Sequence, residues 1–188
     1  MIRSKFAAIL VAATLLGVGT APVTARTMRY PIVGGAKMYP MKTIVENAVN
    51  SKDHTTLVAA VQAAGLVDTL NSAGPFTVFA PTNAAFANLP AGTVDTLLKP
   101  ENKATLAKIL TYHVVSGRVT AGQLKAMIKA GGGKAALTTV AGGTLTASIV
   151  RGMVTLTDEK GGVAVVTKAN VFQKNGVIHV TNAVSLPN

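Results

Sequence analysis

The sequence predicts a single α+β domain, and two contrasts along the chain carry that prediction. Between residues 43 and 130 the apolar residues recur at helical spacing, whereas from Leu137 onward they fall in short β-branched runs. The second half is also punctuated by Gly142-Gly143, Arg151-Gly152, Lys160-Gly161-Gly162 and Asn175-Gly176, the residues that tight hairpins favour. Helices that precede strands, instead of alternating with them, argue against a parallel βαβ sheet.

The N-terminus places Arg3 and Lys5 before an uncharged run, residues 6–25, whose apolar core at 6–16 falls short of the roughly 20 residues that span a bilayer. Residues 1–25 are therefore expected to be a signal peptide, cut after Val23-Thr24-Ala25. Residues 26–42, with Pro31, Gly34, Gly35 and Pro40, read as an N-terminal arm. Met28, Met38 and Met41 have no histidine or cysteine nearby, so they predict gap-filling in preference to copper binding.

The domain proper is expected over 43–187. Ile44, Val45, Ala48 and Val49 predict a first helix, and Leu57, Val58, Val61 and Ala64 a second that stops at Gly65. A further helical turn at 66–70 leads through a loop into a buried strand at 76–80, which Pro81 should end. Thr82 can cap a short helix packed by Phe86 and Leu89. Pro100 and Glu101 suit the first turn of the next helix, whose inner face is Leu106, Ile109, Leu110 and, three residues on, His113. One more helix, 120–130, ends at Gly131-Gly132-Gly133. Strands are expected at 137–141, 144–150, 153–157, 163–172, 177–181 and 184–186.

Chemistry is sparse. With three histidines and no Gly-x-Ser-x-Gly elbow, the chain predicts no catalytic constellation. His54 is expected to begin a surface helix, His113 to be a buried imidazole tied to a backbone carbonyl, and His179 to point away from Ile178 and Val180 along a strand. There is no cysteine and no His-x-x-x-His pair. Asp158-Glu159, the only adjacent acids, read as a solvated hairpin tip, so neither a metal nor a cofactor is predicted. Eighteen Lys and Arg against seven Asp and Glu give a formal net charge of +11. The cations are scattered and aromatics are few, which disfavours nucleic acid. Such a field suits anionic polysaccharide, attracted over a Debye length of roughly 8 Å.

Three stretches fit together: Gly-Pro-Phe-Thr-Val-Phe-Ala-Pro-Thr-Asn-Ala-Ala-Phe at 74–86, Tyr-His-Val-Val at 112–115 and Asn-Gly-Val-Ile-His-Val at 175–180. In order and spacing they resemble the first conserved box, the Tyr-His box and the second conserved box of fasciclin-like (FAS1, or beta-Ig-H3) domains. The resemblance covers 43–187 and implies a wedge of two packed β-sheets flanked by a helical layer. It also implies a non-catalytic adhesion module, secreted or periplasmic. Carried over by position, the partner-binding candidates are Tyr112, His113, Val114, Val115, Asn170, Val171, Asn175, Gly176, Ile178 and His179. Two positions depart from the family: Asn170-Val171 stands where an Asp-Ile pair is common, and Asn182 where an acid is common. Without those carboxylates an integrin-type, metal-bridged contact is disfavoured. The expected partner is a cell-surface or matrix glycan or protein, anionic glycan foremost, with no membrane span after signal cleavage. The alternative that the resemblance implies is a carrier of a small hydrophobic ligand, such as a carotenoid, in an apolar groove.

Overall fold

A computed structural model describes residues 29–188 of the chain. The expected signal peptide and Met28 lie outside the described residues. The arm forms a small hairpin, β1 (Ile32–Val33) and β2 (Ala36–Lys37), around Gly34 and Gly35, both at positive φ. Helices α1 (Ile44–Ala48), α2 (Thr55–Ala63) and α3 (Val67–Asn71) follow. Thr43 starts α1 with a capping box: its side chain accepts from Glu46 N while the Glu46 carboxylate accepts from Thr43 N.

The remaining elements are β3 (Phe76–Pro81), α4 (Asn83–Ala87), α5 (Thr93–Leu97), α6 (Lys103–Tyr112), β4 (Val114–Ser116) and α7 (Ala121–Ala130), then β5 (Lys134–Thr138), β6 (Thr144–Val150), β7 (Met153–Thr157), β8 (Val163–Gln173) and β9 (Gly176–Thr181). Seven strands form one ladder in the order β4-β3-β9-β8-β7-β6-β5. All neighbours are antiparallel except β3 and β9, which run parallel. The expected two sheets are the two halves of this ladder, and β8 belongs to both. Its residues 163–165 pair with β7, while 166–173 pair with β9 through register shifts between Val166 and Val171. Such bulges bend a strand and increase its twist. The ladder's outer edges meet again where Val115 bridges Thr139 and Val140 N donates to Val114 O at 2.7 Å.

Alternation along β3 divides the interior. Val78 and Ala80 face a core shared with Ile44, Leu57, Leu70, Leu106 and Leu110 of the helical layer. Phe79 faces the second core, inside the sheet fold, with Tyr112, Leu124, Leu145, Leu156 and Val166. β9 is buried along its whole length, as a strand covered on both faces must be.

Several expectations are corrected. β5 begins at Lys134 because Gly132 and Gly133 turn the chain at positive φ, so the ladder is entered three residues early. The strand expected at 184–186 is irregular; its backbone is taken by side chains instead of a ladder. His54 is buried, not at the surface, with its Nδ1 2.8 Å from Ser51 Oγ. Asp158 is buried as well: Oδ1 accepts from the backbone N–H groups of Lys160 and Gly162, and Oδ2 from that of Leu186 at 2.8 Å. The pair does sit at the tip of the β7–β8 hairpin and Glu159 is exposed there, but Asp158 is not solvated, and both carboxylates anchor the chain's C-terminal segment. Helix α5 and strand β4 lack a signal strong enough to have been expected.

Candidate functional site

The end of α6 delivers the Tyr-His pair into the interior because a rise of 3.6 residues per turn keeps Leu106, Leu110 and His113 near one face. Tyr112 is fully buried; its hydroxyl donates to Thr144 O at 2.7 Å and accepts from Glu159 N at 3.2 Å. Burial pushes the phenol pKa up. His113 is satisfied at both ring nitrogens: Nδ1 lies 2.8 Å from Ile109 O, and Nε2 accepts from Ser185 N at 3.0 Å. A nitrogen facing a carbonyl must carry the proton and one facing an N–H must lack it, so the ring is the neutral Nδ1–H tautomer.

The second group converges on the β8–β9 turn. Asn175 Oδ1 accepts from Ile44 N at 3.0 Å, and its Nδ2 donates to Leu70 O at 2.7 Å and Ser72 O at 2.9 Å. One buried carboxamide thus ties α1 and the end of α3 to β9. Gly176 packs so close to β3 that a Cβ there would collide with the Phe76 carbonyl. His179 Nε2 lies 2.9 Å from Val119 O, and its ring stacks on Phe79 with centroids 5.6 Å apart.

Nine of the ten candidate residues are therefore buried, and Asn170 alone is exposed. Asn170 sits at φ 60° in the bulged part of β8 and accepts from Ala121 N at 2.8 Å, which joins β8 to the start of α7. Asparagine tolerates this left-handed conformation better than most residues. Around it the outer face of β8 exposes Lys168, Phe172 and Lys174, with Arg118 donating to the carbonyls of Gln173 and Lys174. Sequence reasoning missed Phe172 and the arm residues beside it, because their partners lie some 140 positions apart along the chain.

Ser51 and His54 are in contact, but both are buried and His54 Nε2 has no hydrogen-bond partner among the described residues. No group of three His, Cys, Asp or Glu able to hold a metal occurs among the described residues. Met38 is buried and Met41 exposed, so these two thioethers do not converge. The apolar cavity between α1, α2 and α6, floored by Val78 and Leu110, is about 40 Å³, against the roughly 300–1,000 Å³ of ordinary small-molecule sites.

Burial pushes all three imidazoles below the ordinary histidine value near 6.5, opposed at His113 by the Ile109 carbonyl and Asp158, at His54 by Ala80 and Asp53, and at His179 by Val119. Below pH 6.5 the unfolded chain takes up protons that the folded chain refuses. Stability is therefore full above that pH and falls as pH drops toward the depressed folded values, by up to about 1.4 kcal/mol per pH unit for each imidazole. Urea midpoints at pH 7.5 and 5.5 check this: the lower pH should give the lower midpoint, and equal midpoints would contradict neutral buried rings.

Comparison with known proteins agrees with this architecture. The protein sll1483 of Synechocystis sp. is 49% identical over 161 residues, covering 86% of this chain and 82% of that one. The cell surface glycolipoprotein MPB83 of Mycobacterium bovis is 44% identical over 115 residues, 58% of this chain and 50% of its own length. A solved FAS1 domain pair from the insect cell adhesion molecule fasciclin I superposes with a TM-score of 0.68 at 17% identity, over 76% of this chain and 50% of that one. That likeness speaks for the fold. The fasciclin-domain profile matches residues 52–187, and the chain belongs to the fasciclin (FAS1) domain family.

Proposed function

We propose that this protein is a non-catalytic adhesion module of the cell exterior or periplasm, and that it binds an anionic cell-surface or matrix glycan through the face around Asn170. The observation that carries the reading is the exposure of Asn170, alone among the candidate residues, on a cationic face. The buried candidates shape that face from beneath: Val171 and Ile178 set the register of β8 on β9, and Asn175 fixes the turn between them. No helix among the described residues is long and apolar enough to cross a membrane. That MPB83, 44% identical, is a cell surface glycolipoprotein supports the same reading. A hydrophobic-ligand carrier is the weaker proposal, since the apolar cavity would have to open several-fold to admit a polyene.

Retention of the purified protein on immobilised anionic polysaccharide, measured across a salt series beside a cationic control protein of matched charge, tests the proposal. Saturable retention that outlasts the control at about 0.15 M salt is expected. Elution together with the control would reduce the attraction to net charge and remove the proposed adhesion surface.

A further inference from the structure

The arm does more than lead into the domain. It is clamped by buried polar contacts: Asn47, almost fully buried, accepts from Tyr39 N at 3.0 Å and donates to Tyr39 O at 2.8 Å. Its carboxamide also donates to Gln173 Oε1 of β8. Met38 is buried under β1, its N–H donating to Pro31 O, and Lys168 Nζ donates to Ile32 O. The arm held in this way leaves a groove of about 250 Å³ against β8, whose walls include Arg29, Tyr30, Pro40, Asn170 and Phe172.

Three properties of the groove point to one ligand chemistry. Phe172 is 42% exposed although Val171 and Gln173 on either side of it are buried, so an aromatic face is presented to solvent at a place where a strand could carry any polar residue. Tyr30 stands on the opposite wall, its ring 5.0 Å from that of Tyr39, which Lys42 Nζ covers at 5.4 Å from its centroid. The segments that build and clamp the groove, 29–47 and 163–182, carry Arg29, Lys37, Lys42, Lys168 and Lys174 against one acid, Glu46, which lies near Lys42 and Lys174. The Oδ1 of Asn170 is occupied by Ala121 N, and its Nδ2 takes no hydrogen-bond acceptor among the described residues. The volume lies just below the lower end of the small-molecule range, roughly 300–1,000 Å³, and suits a single ring.

Resting on the adhesion reading, we infer that the groove between the arm and β8 is a subsite for one uronate unit of an acidic polysaccharide, with the apolar sugar face on Phe172 and the carboxylate on Arg29. A guanidinium can take a carboxylate by two parallel hydrogen bonds, which a neutral sugar cannot offer. The clamped arm makes the subsite preformed, so little ordering entropy is lost on binding.

The test is titration of the intact protein with an oligogalacturonate and with a neutral malto-oligosaccharide at about 0.15 M salt, repeated on four variants. Phe172→Ala should weaken oligogalacturonate binding by about tenfold or more, and Arg29→Gln by about fivefold, while Phe172→Tyr and the distant Lys125→Gln bind like the parent. Because Phe172 and Arg29 are exposed, melting temperatures should stay near the parent's, and each variant is compared at a temperature where it is folded. Oligogalacturonate binding unchanged in folded Phe172→Ala overturns the subsite while leaving glycan adhesion standing. Equal affinity for the neutral oligosaccharide overturns the carboxylate assignment. No oligogalacturonate binding despite saturable polysaccharide retention overturns the subsite alone. Loss of that retention as well overturns the adhesion reading with it.

Discussion

Asn175→Ala is expected to lower the unfolding free energy by about 3–5 kcal/mol and the melting temperature by about 10 °C. The carboxamide makes two buried hydrogen bonds and one part-buried one, and its removal strands Ile44 N and the Leu70 carbonyl and leaves the Ser72 carbonyl to water. A buried group left without its partner costs about 1–3 kcal/mol, well above the net value of an average hydrogen bond. Because these partners belong to α1 and the end of α3, the helical layer should loosen from β9 as the variant unfolds. Asn175→Asp sharpens the test. It keeps an acceptor for Ile44 N but turns a carboxylate oxygen toward two carbonyls, so it should be no more stable than the alanine variant. Denaturant unfolding of both variants provides the measurement; an alanine variant within 1 kcal/mol of the parent would show that the three bonds do not hold the layers together.

His113→Ala is expected to cost about 2–4 kcal/mol. The substitution removes the acceptor for Ser185 N and the donor to Ile109 O, and it opens space beside the apolar cavity that His113 lines. With Ser185 released, Asp158 and Glu159 still hold the last residues through Leu186 N and Asn188 N, and Lys108 Nζ through Asn188 O. The variant should also show a shallower loss of stability below pH 6.5, since one of three depressed imidazoles is gone. Polysaccharide retention, measured well below its melting temperature, should survive, because His113 is 3% exposed. A variant that melts like the parent yet loses retention would mean that the imidazole meets the partner directly.

The two predictions rest on residues whose position the sequence announces more clearly than their role. Local signals were legible: Thr82 caps its short helix as expected, and helical period placed His113 on the buried face of α6. The long-range features were not. Nothing near Asp158 in the sequence says that its carboxylate will collect the N–H of Leu186, 28 residues away, since an acid beside Lys-Gly-Gly normally marks a turn tip. The strand expected at 184–186 failed for the same reason, because β-branched composition counts only where a ladder edge is within reach. Short segments also escaped: β4 is three residues long, and α5 starts from Gly92 at positive φ without a side-chain cap. Among the binding candidates, order along the chain identified the boxes but could not separate residues that shape a face from the one that lies on it. That distinction depends on which side of β8 each residue occupies, and the bulge between Lys168 and Val171 alters the alternation there.

The parallel pairing of β3 with β9 sets a schedule for the chain's synthesis. Phe76 pairs with Gly176 and Pro81 with Thr181, so the one parallel rung of the ladder joins residues that leave the ribosome a hundred positions apart. At roughly 5–20 residues per second the earlier strand waits about 5–20 s for its neighbour, and non-local pairings of this kind also form slowly once both partners exist. The core beneath the helical layer, which takes Ile178 and Val180 from β9, cannot close before that strand has been made.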